Sequence, residues 1–333
     1  MRMNTNSDAN SNSNSNYYLG IDIGGTKCAV LRGDGEGRVL DKHRFATTDC
    51  QSTLATILEA AGTLIREGQA IGQPVSAIGI SCGSPLDSAA GVIKEPPNLP
   101  GWVDVPIVSL LRERFGLPAY LCNDANACAL AEWRFGAGRG TRNMIFLTFG
   151  TGMGAGLILD GRLYAGSCDA AGEVGHMRLA PDGPVGYRKA GSFEGFCSGG
   201  GLARLGQQYA LRHIQEGHPA RYCPTLSDLP AVTAKSLADA AHAGDPVARE
   251  VYALCGRRLG QALSLLVDVL NPECIVIGSV FARSGDLLIP AMRAVMTEEC
   301  LPESLAACRV VPAALSESVG DLAALTVAMT GST

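Results

Sequence analysis

The chain has 333 residues, a length that suits about two domains. Apolar residues make up 47% and charged residues 18%, so a large core can be buried and global disorder is excluded. Lys plus Arg number 27 against 32 Asp plus Glu, and the net charge of -5 argues against a general nucleic-acid or membrane-surface binder, which needs a basic field.

Residues 1–16 are mostly Asn and Ser and are expected to form a disordered tail. No apolar stretch of signal-peptide type follows, and no run of about 18 apolar residues occurs anywhere. A cytoplasmic protein with no membrane partner is expected. The 12 cysteines are scattered singly without a CxxC pair, which points to reduced, buried thiols rather than a zinc ribbon or a disulfide framework.

Tyr18 to Ile23 and Cys28 to Leu31 read as two strands joined by a Gly turn, with a third strand over Arg38 to Phe45. Ser52 to Arg66 has helical apolar spacing, with Ser52 as its expected N-cap. Ala77 to Cys82 and Ala119 to Cys122 read as strands, Val105 to Arg114 and Asn126 to Phe135 as helices. The second half repeats the opening: strand Met144 to Phe149, a Gly/Thr turn, strand Ala155 to Leu159, an Asp160-Gly161 hairpin turn and strand Arg162 to Tyr164. Residues 181–201, rich in Gly and Pro, read as a loop. Asp245-Pro246 opens a long helix that Asn271-Pro272 stops, and a strand, Cys274 to Ile277, ends at Gly278. Gly320 to Met329 reads as a final helix. Alternating strands and helices imply an α/β architecture of two related domains.

Four segments have residue types suited to chemistry. In Asp22-Ile-Gly-Gly-Thr26-Lys27, glycines at a hairpin turn present backbone N–H groups to phosphate, and a strand-end Asp can hold Mg²⁺ through water. An ordinary Gly turn with a solvated Asp has the same sequence. Thr148-Phe-Gly-Thr151-Gly152-Met-Gly154-Ala-Gly156 offers a second such turn; it is neither a Walker loop nor a Rossmann fingerprint, because no helix pattern follows. In Cys122-Asn123-Asp124-Ala-Asn126 a carboxylate stands at a strand–helix junction, placed to take a proton from a hydroxyl or simply to cap the helix. Gly172-Glu173-Val-Gly-His176 and Ser192-Phe-Glu194 supply carboxylates and an imidazole, which can hydrogen-bond vicinal hydroxyls.

Taken in order, the chain resembles the ROK family of repressors and sugar kinases from about Tyr17 to Ala328. The motifs are the DIGGTK turn, Gly83-Ser-Pro85, Pro97-Asn98-Leu-Pro-Gly-Trp102, Asn123-Asp124, FGTGMGAG, GEVGH, SFE and Asn271-Pro272 before the strand ending at Gly278. The resemblance implies an actin-like, ribonuclease-H-like fold with two lobes around a cleft. The lobes are expected to be 17–123 plus 312–333 and 124–311, with the final helix returning to the first. It implies an ATP-dependent hexose kinase acting with Mg²⁺, usually on the 6-hydroxyl, and a homodimer. Gly24, Gly25, Thr26 and Lys27 match the first phosphate element, Thr151 and Gly152 the second, and Gly278 and Ser279 the adenosine side. Asp124 matches the catalytic base; Asn98, Asn123, Glu173, His176 and Glu194 match the sugar-contacting positions.

One departure stands out. Many members of the family hold a structural zinc with a His and three cysteines; with Glu194 anchored to the family's Glu, those cysteines fall at Val185, Tyr187 and Ser192. Only His176 remains, so no structural zinc is expected. Cys168 and Cys197 are the only nearby substitutes, and Tyr187 with Phe193 is expected to order the loop instead. A repressor of the family adds an N-terminal helix-turn-helix; residues 1–16 cannot form one, so no nucleic-acid partner is expected. A catalytically inactive sugar sensor is expected to lose Asp124 or the phosphate turns, which are present. Glucose suits the Glu/His/Glu set, with N-acetylmannosamine, N-acetylglucosamine and other hexoses open.

Overall fold

The computed structural model describes residues 16–331. The expected disordered tail therefore lies, apart from Asn16, outside the described residues. The first half runs β1 (Tyr17–Ile23), β2 (Lys27–Asp34), β3 (Val39–Ala46), α1 (Cys50–Ala70), β4 (Val75–Cys82), a short pair β5 (Leu86–Asp87) and β6 (Val92–Ile93), α2 (Ile107–Phe115), β7 (Ala119–Asn123) and α3 (Asp124–Phe135). The second half opens with β8 (Met144–Leu147), β9 (Ala155–Leu159) and β10 (Arg162–Leu163), then a small hairpin, β11 (Val185–Gly186) and β12 (Lys189–Ala190). Helices α4 (Phe193–Phe196), α5 (Gly199–Gln215), α6 (Ala234–His242) and α7 (Pro246–Leu270) follow. The chain closes with β13 (Cys274–Ile277), α8 (Val280–Glu299), α9 (Pro302–Ala307), β14 (Arg309–Pro312) and α10 (Val319–Thr330).

The two five-stranded sheets share one topology. Their orders are β3-β2-β1-β4-β7 and β10-β9-β8-β13-β14. In each, three antiparallel strands joined by hairpins are followed by two parallel strands. This is the two-lobed actin-like, ribonuclease-H-like α/β fold that the sequence implied.

The inner strands are near-continuous apolar runs because both faces are covered. Leu19, Ile21 and Ile23 of β1 and Ile78, Ile80 and Cys82 of β4 are buried. α10 packs on β1 and β4, α3 packs on β8 and β9, and the two helices pack on each other. Glycines permit the close seating. A Cβ on Gly79 of β4 would lie 2.2 Å from the Ala324 carbonyl oxygen of α10, and one on Gly156 of β9 would lie 2.4 Å from Ala129 Cβ of α3. Each lobe thus rests on a shared pair of helices with backbone close to backbone.

Three local expectations are corrected. α1 starts at Cys50, and its N-cap is Asp49, which accepts from Ser52 N; Ser52 lies inside the first turn. Residues 181–201 form the β11–β12 hairpin, α4 and the start of α5, because Ser192 and Ser198 cap two successive helices there. Tyr187 and Phe193 do not form a cluster: Phe193 is fully buried while Tyr187 is 64% exposed. All 12 cysteines are free. Among the described residues no helix is long and apolar enough to cross a membrane.

Candidate active site

The second Gly turn abuts the start of α3, and Asp22, just before the first turn, lies within electrostatic reach of Asp124. In the first turn Gly24 N donates to the Lys27 carbonyl (3.1 Å), and Thr47 of the neighbouring strand end braces it through Thr47 Oγ1 to the Gly24 carbonyl (2.6 Å). A Cβ on Gly25 would lie 2.5 Å from the Asn98 carbonyl oxygen. Gly25 is thus required by the packing of Asn98, a reason the sequence did not reveal. Thr26 and Lys27 stay exposed at the tip.

In the second turn Thr148 N donates to the Gly154 carbonyl and Gly154 N to Thr148 Oγ1, each at 3.0 Å. Met153 N donates to Glu194 Oε2 (3.1 Å), and a Cβ on Gly152 would lie 2.8 Å from the same oxygen. Glu194, in the first turn of α4, therefore braces this turn. Thr151 is exposed at its tip. A Cβ on Gly154 would lie 3.7 Å from Ala125 Cβ, so the turn abuts the start of α3.

At that start Asn123 is the cap. Its Oδ1 accepts from Ala125 N (3.0 Å) and Asn126 N (3.3 Å), and its Nδ2 donates to Ser84 Oγ (2.7 Å). Asn123 is thereby committed to backbone and to Ser84. Asp124 accepts one bond, from Ala125 N (2.8 Å). Its side chain is open to solvent, but protein crowds around it on the other sides. Burial there pushes its carboxyl above the ordinary carboxylate range, against the bond from Ala125.

Asp22, half-buried at the end of β1, is pushed up to about 6, first by burial and then by the negative charges of Asp321 and Asp124; Lys42 and Lys27 pull the other way. Lys42 Nζ donates to both Asp321 oxygens (2.6 and 2.5 Å). Asp22, Asp124 and Asp321 thus bring together more negative charge than Lys42 and Lys27 balance. That donor set fits a divalent cation carried by a polyphosphate.

Two cavities flank this centre. One, of about 390 Å³, has Ser84, Pro85 and Pro97 from the first lobe on one wall. Asp169, Glu173, His176, Tyr187 and Glu194 form the other. The His176 ring meets Tyr187 edge-to-face, with centroids 5.1 Å apart, so Tyr187 packs against and orients the imidazole. Asn98, Asn123 and Asp124 do not line this cavity; Asn98 lies between the first turn and Gly83. The second cavity, of about 410 Å³, is lined by Thr148, Gly278, Ser279, Arg283, Ser316 and Val319 among others. Ser279 adopts a left-handed φ of 46° where β13 turns into α8.

Glu132, in the last turn of α3, is fully buried. It accepts from Ala137 N (2.8 Å), Ala314 N (3.2 Å) and Leu315 N (2.8 Å), which fixes the chain beside the second cavity. Sequence reasoning missed Arg283, Asp169 and Glu132. Arg283 had a signal, since it follows Ser279 by one helical turn. Among the described residues no group of three or more His, Cys, Asp and Glu is arranged to hold a metal. Cys168 is exposed, while Cys197 is buried against Cys255, with sulfurs 3.8 Å apart, so the two do not converge on His176.

The chain is 33% identical over 278 residues to a glucokinase of Streptomyces coelicolor, covering 83% of this chain and 85% of that protein. A crystal structure of a Streptomyces griseus ROK family glucokinase in complex with glucose and AMPPNP aligns with TM-score 0.72 and 30% identity, covering 95% of this chain and all of that one. A ROK family transcriptional regulator, a homologue of the E. coli MLC protein, aligns with TM-score 0.82 and 25% identity, covering 93% of this chain and 77% of that one. The family model described as the ROK family matches residues 18–330, and the protein belongs to that family.

Proposed function

We propose that the protein is an ATP-dependent hexose kinase that moves the γ-phosphate to a sugar hydroxyl, the 6-hydroxyl of glucose or a related hexose. The observation that carries this reading is Asp124. Asn123 takes over the cap, so the Asp124 carboxylate is left with one backbone partner, beside the second Gly turn and within the electrostatic reach of Asp22 at the end of β1. A base raised toward working pH takes a hydroxyl proton more effectively than an ordinary carboxylate.

The remaining roles follow from position. Glu173, His176 and Glu194 bind sugar hydroxyls in the first cavity. Glu194 also ties that cavity to the second turn through Met153 N. The turns at Gly24–Lys27 and Thr151–Gly152 hold the phosphates, Gly278 and Ser279 the adenosine side, and Asp22 faces the Mg²⁺ brought with ATP. That ion would neutralise charge on the phosphates. In this reading the lobes are 17–123 with 312–333, and 124–311. The relatives named glucokinase support the substrate class.

The test is sugar-dependent ADP release with Mg-ATP across a panel of hexoses and N-acetylhexosamines, with Asp124→Asn alongside. The expected result is turnover with at least one sugar, reduced about 10²–10⁴-fold in the variant. Sugar binding without turnover by the wild type overturns it in favour of a sensor.

A further inference from the structure

Asp169 was not singled out by its sequence, and its placement is unusual in three respects. It belongs to the segment between β10 and the Glu173–His176 wall, and lines the sugar cavity. Its backbone is left-handed, with φ 58°, a region that favours glycine. Its carboxylate reaches across to the other wall: Ser88 N donates to Asp169 Oδ2 (2.8 Å) and Ser88 Oγ to Asp169 Oδ1 (2.7 Å). Ser88 follows β5, in the segment that supplies Ser84 and Pro85 to the same cavity.

The cavity therefore has two walls from different lobes and a two-bond bridge between them. Both bonds go to a carboxylate, the stronger class of protein hydrogen bond. Asp169 also lines a further space of about 260 Å³ beside Asn123, Asn126 and Tyr164. A residue in the left-handed region persists where its surroundings over-determine it, and here the side chain supplies the reason.

We propose that Asp169 and Ser88 form a clasp that holds the two walls of the sugar pocket at binding distance, and so sets the affinity for sugar. Asp169 is a positioning residue: it acts through the wall that bears Glu173, His176 and Glu194. The assignment of that cavity to sugar rests on the kinase reading above. Holding the walls together before sugar arrives reduces the ordering that binding must otherwise accomplish. The second cavity, at Gly278 and Ser279, lies apart from the clasp, so nucleotide affinity should not depend on it.

The test uses Asp169→Gly, which removes the carboxylate and suits the left-handed backbone, so the fold should be retained. The KM for the hexose that turns over should rise about tenfold, with kcat and the KM for ATP within about twofold. Adding Ser88→Ala to Asp169→Gly should change nothing further, since the two residues act as one unit. Asp169→Asn, which keeps one acceptor and gains a donor, should recover part of the affinity. An unchanged hexose KM, or equal rises in both KM values, overturns the proposal.

A second readout needs no substrate. Hydrogen exchange of segments 84–97 and 168–176 should quicken together in Asp169→Gly. Exchange as in the wild type in both segments overturns the clasp, whatever the turnover assay gives. Quickened exchange combined with a wild type that turns over no sugar would sustain the clasp and strike the kinase reading.

Discussion

Asn123 caps the helix that Asp124 begins. The two side chains are adjacent in sequence but divided in duty, one bonding Ala125 N and Asn126 N, the other left with a single bond, from Ala125 N, and open to solvent. Replacing Asn123 should therefore affect both stability and chemistry. Asn123→Ala should cost about 1 kcal/mol of stability. It should also lower kcat, because Asp124 is then the only side chain left to cap α3. Asn123→Ser should restore most of the stability. Denaturant melts and turnover of the same samples check both; an alanine variant with unchanged melting and turnover refutes the division.

Asp22 predicts a pH dependence with a definite sign. Its folded carboxyl sits at about 6 against an ordinary value of 3.8, so between those values the folded state holds the proton more tightly. That contribution is complete below pH 3.8 and lost as pH rises through about 6. Above it, the buried charge destabilises the fold by an amount on the order of 1–3 kcal/mol. Asp22→Asn should accordingly melt higher than the wild type at pH 7.5, and the gap should shrink at pH 5. With Mg-ATP present the wild type should recover stability at pH 7.5 and the variant should recover less, and chelating Mg²⁺ should abolish the difference. A gap that widens toward acid refutes the assignment.

The seating of α10 on β4 should be intolerant of a single methyl group. Gly79→Ala places a Cβ against the Ala324 carbonyl and the Ala328 amide, both of them backbone. The helix has to shift, at a cost of about 1–3 kcal/mol. Gly35→Ala serves as the control, because its Cβ would meet nothing closer than 3.8 Å. Equal urea midpoints for the two variants would show that α10 yields freely.

Much of this was legible in local sequence, and the exceptions share a cause. β1 and its Gly turn could be read because an apolar run, a strand-end Asp and paired glycines all lie within a few residues. The doubled topology could be read because the same pattern opens both halves. The cap at α3 could not be assigned, since Asn and Asp are equally good caps and stand side by side. Residues 181–201 misled because Gly and Pro signal turns whether or not serine caps lie between them. Gly25 is explained by Asn98 and Asp169 by Ser88, partners distant in the chain. No periodicity encodes such pairs; only the folded arrangement of the sheets brings them together.

The helix that begins with Asp124 carries Glu132 in its last turn, about 12 Å further along its axis. One end faces the reacting hydroxyl in the kinase reading; the other grips Ala314 and Leu315 beside the second cavity. Between them the helix lies on Gly156 with no side chain to act as a cushion. It behaves as a strut of fixed length. A nucleotide that draws residues 313–316 inward would therefore push or pull the base along a single line, and the distance from base to hydroxyl would be gauged from the far side of the lobe.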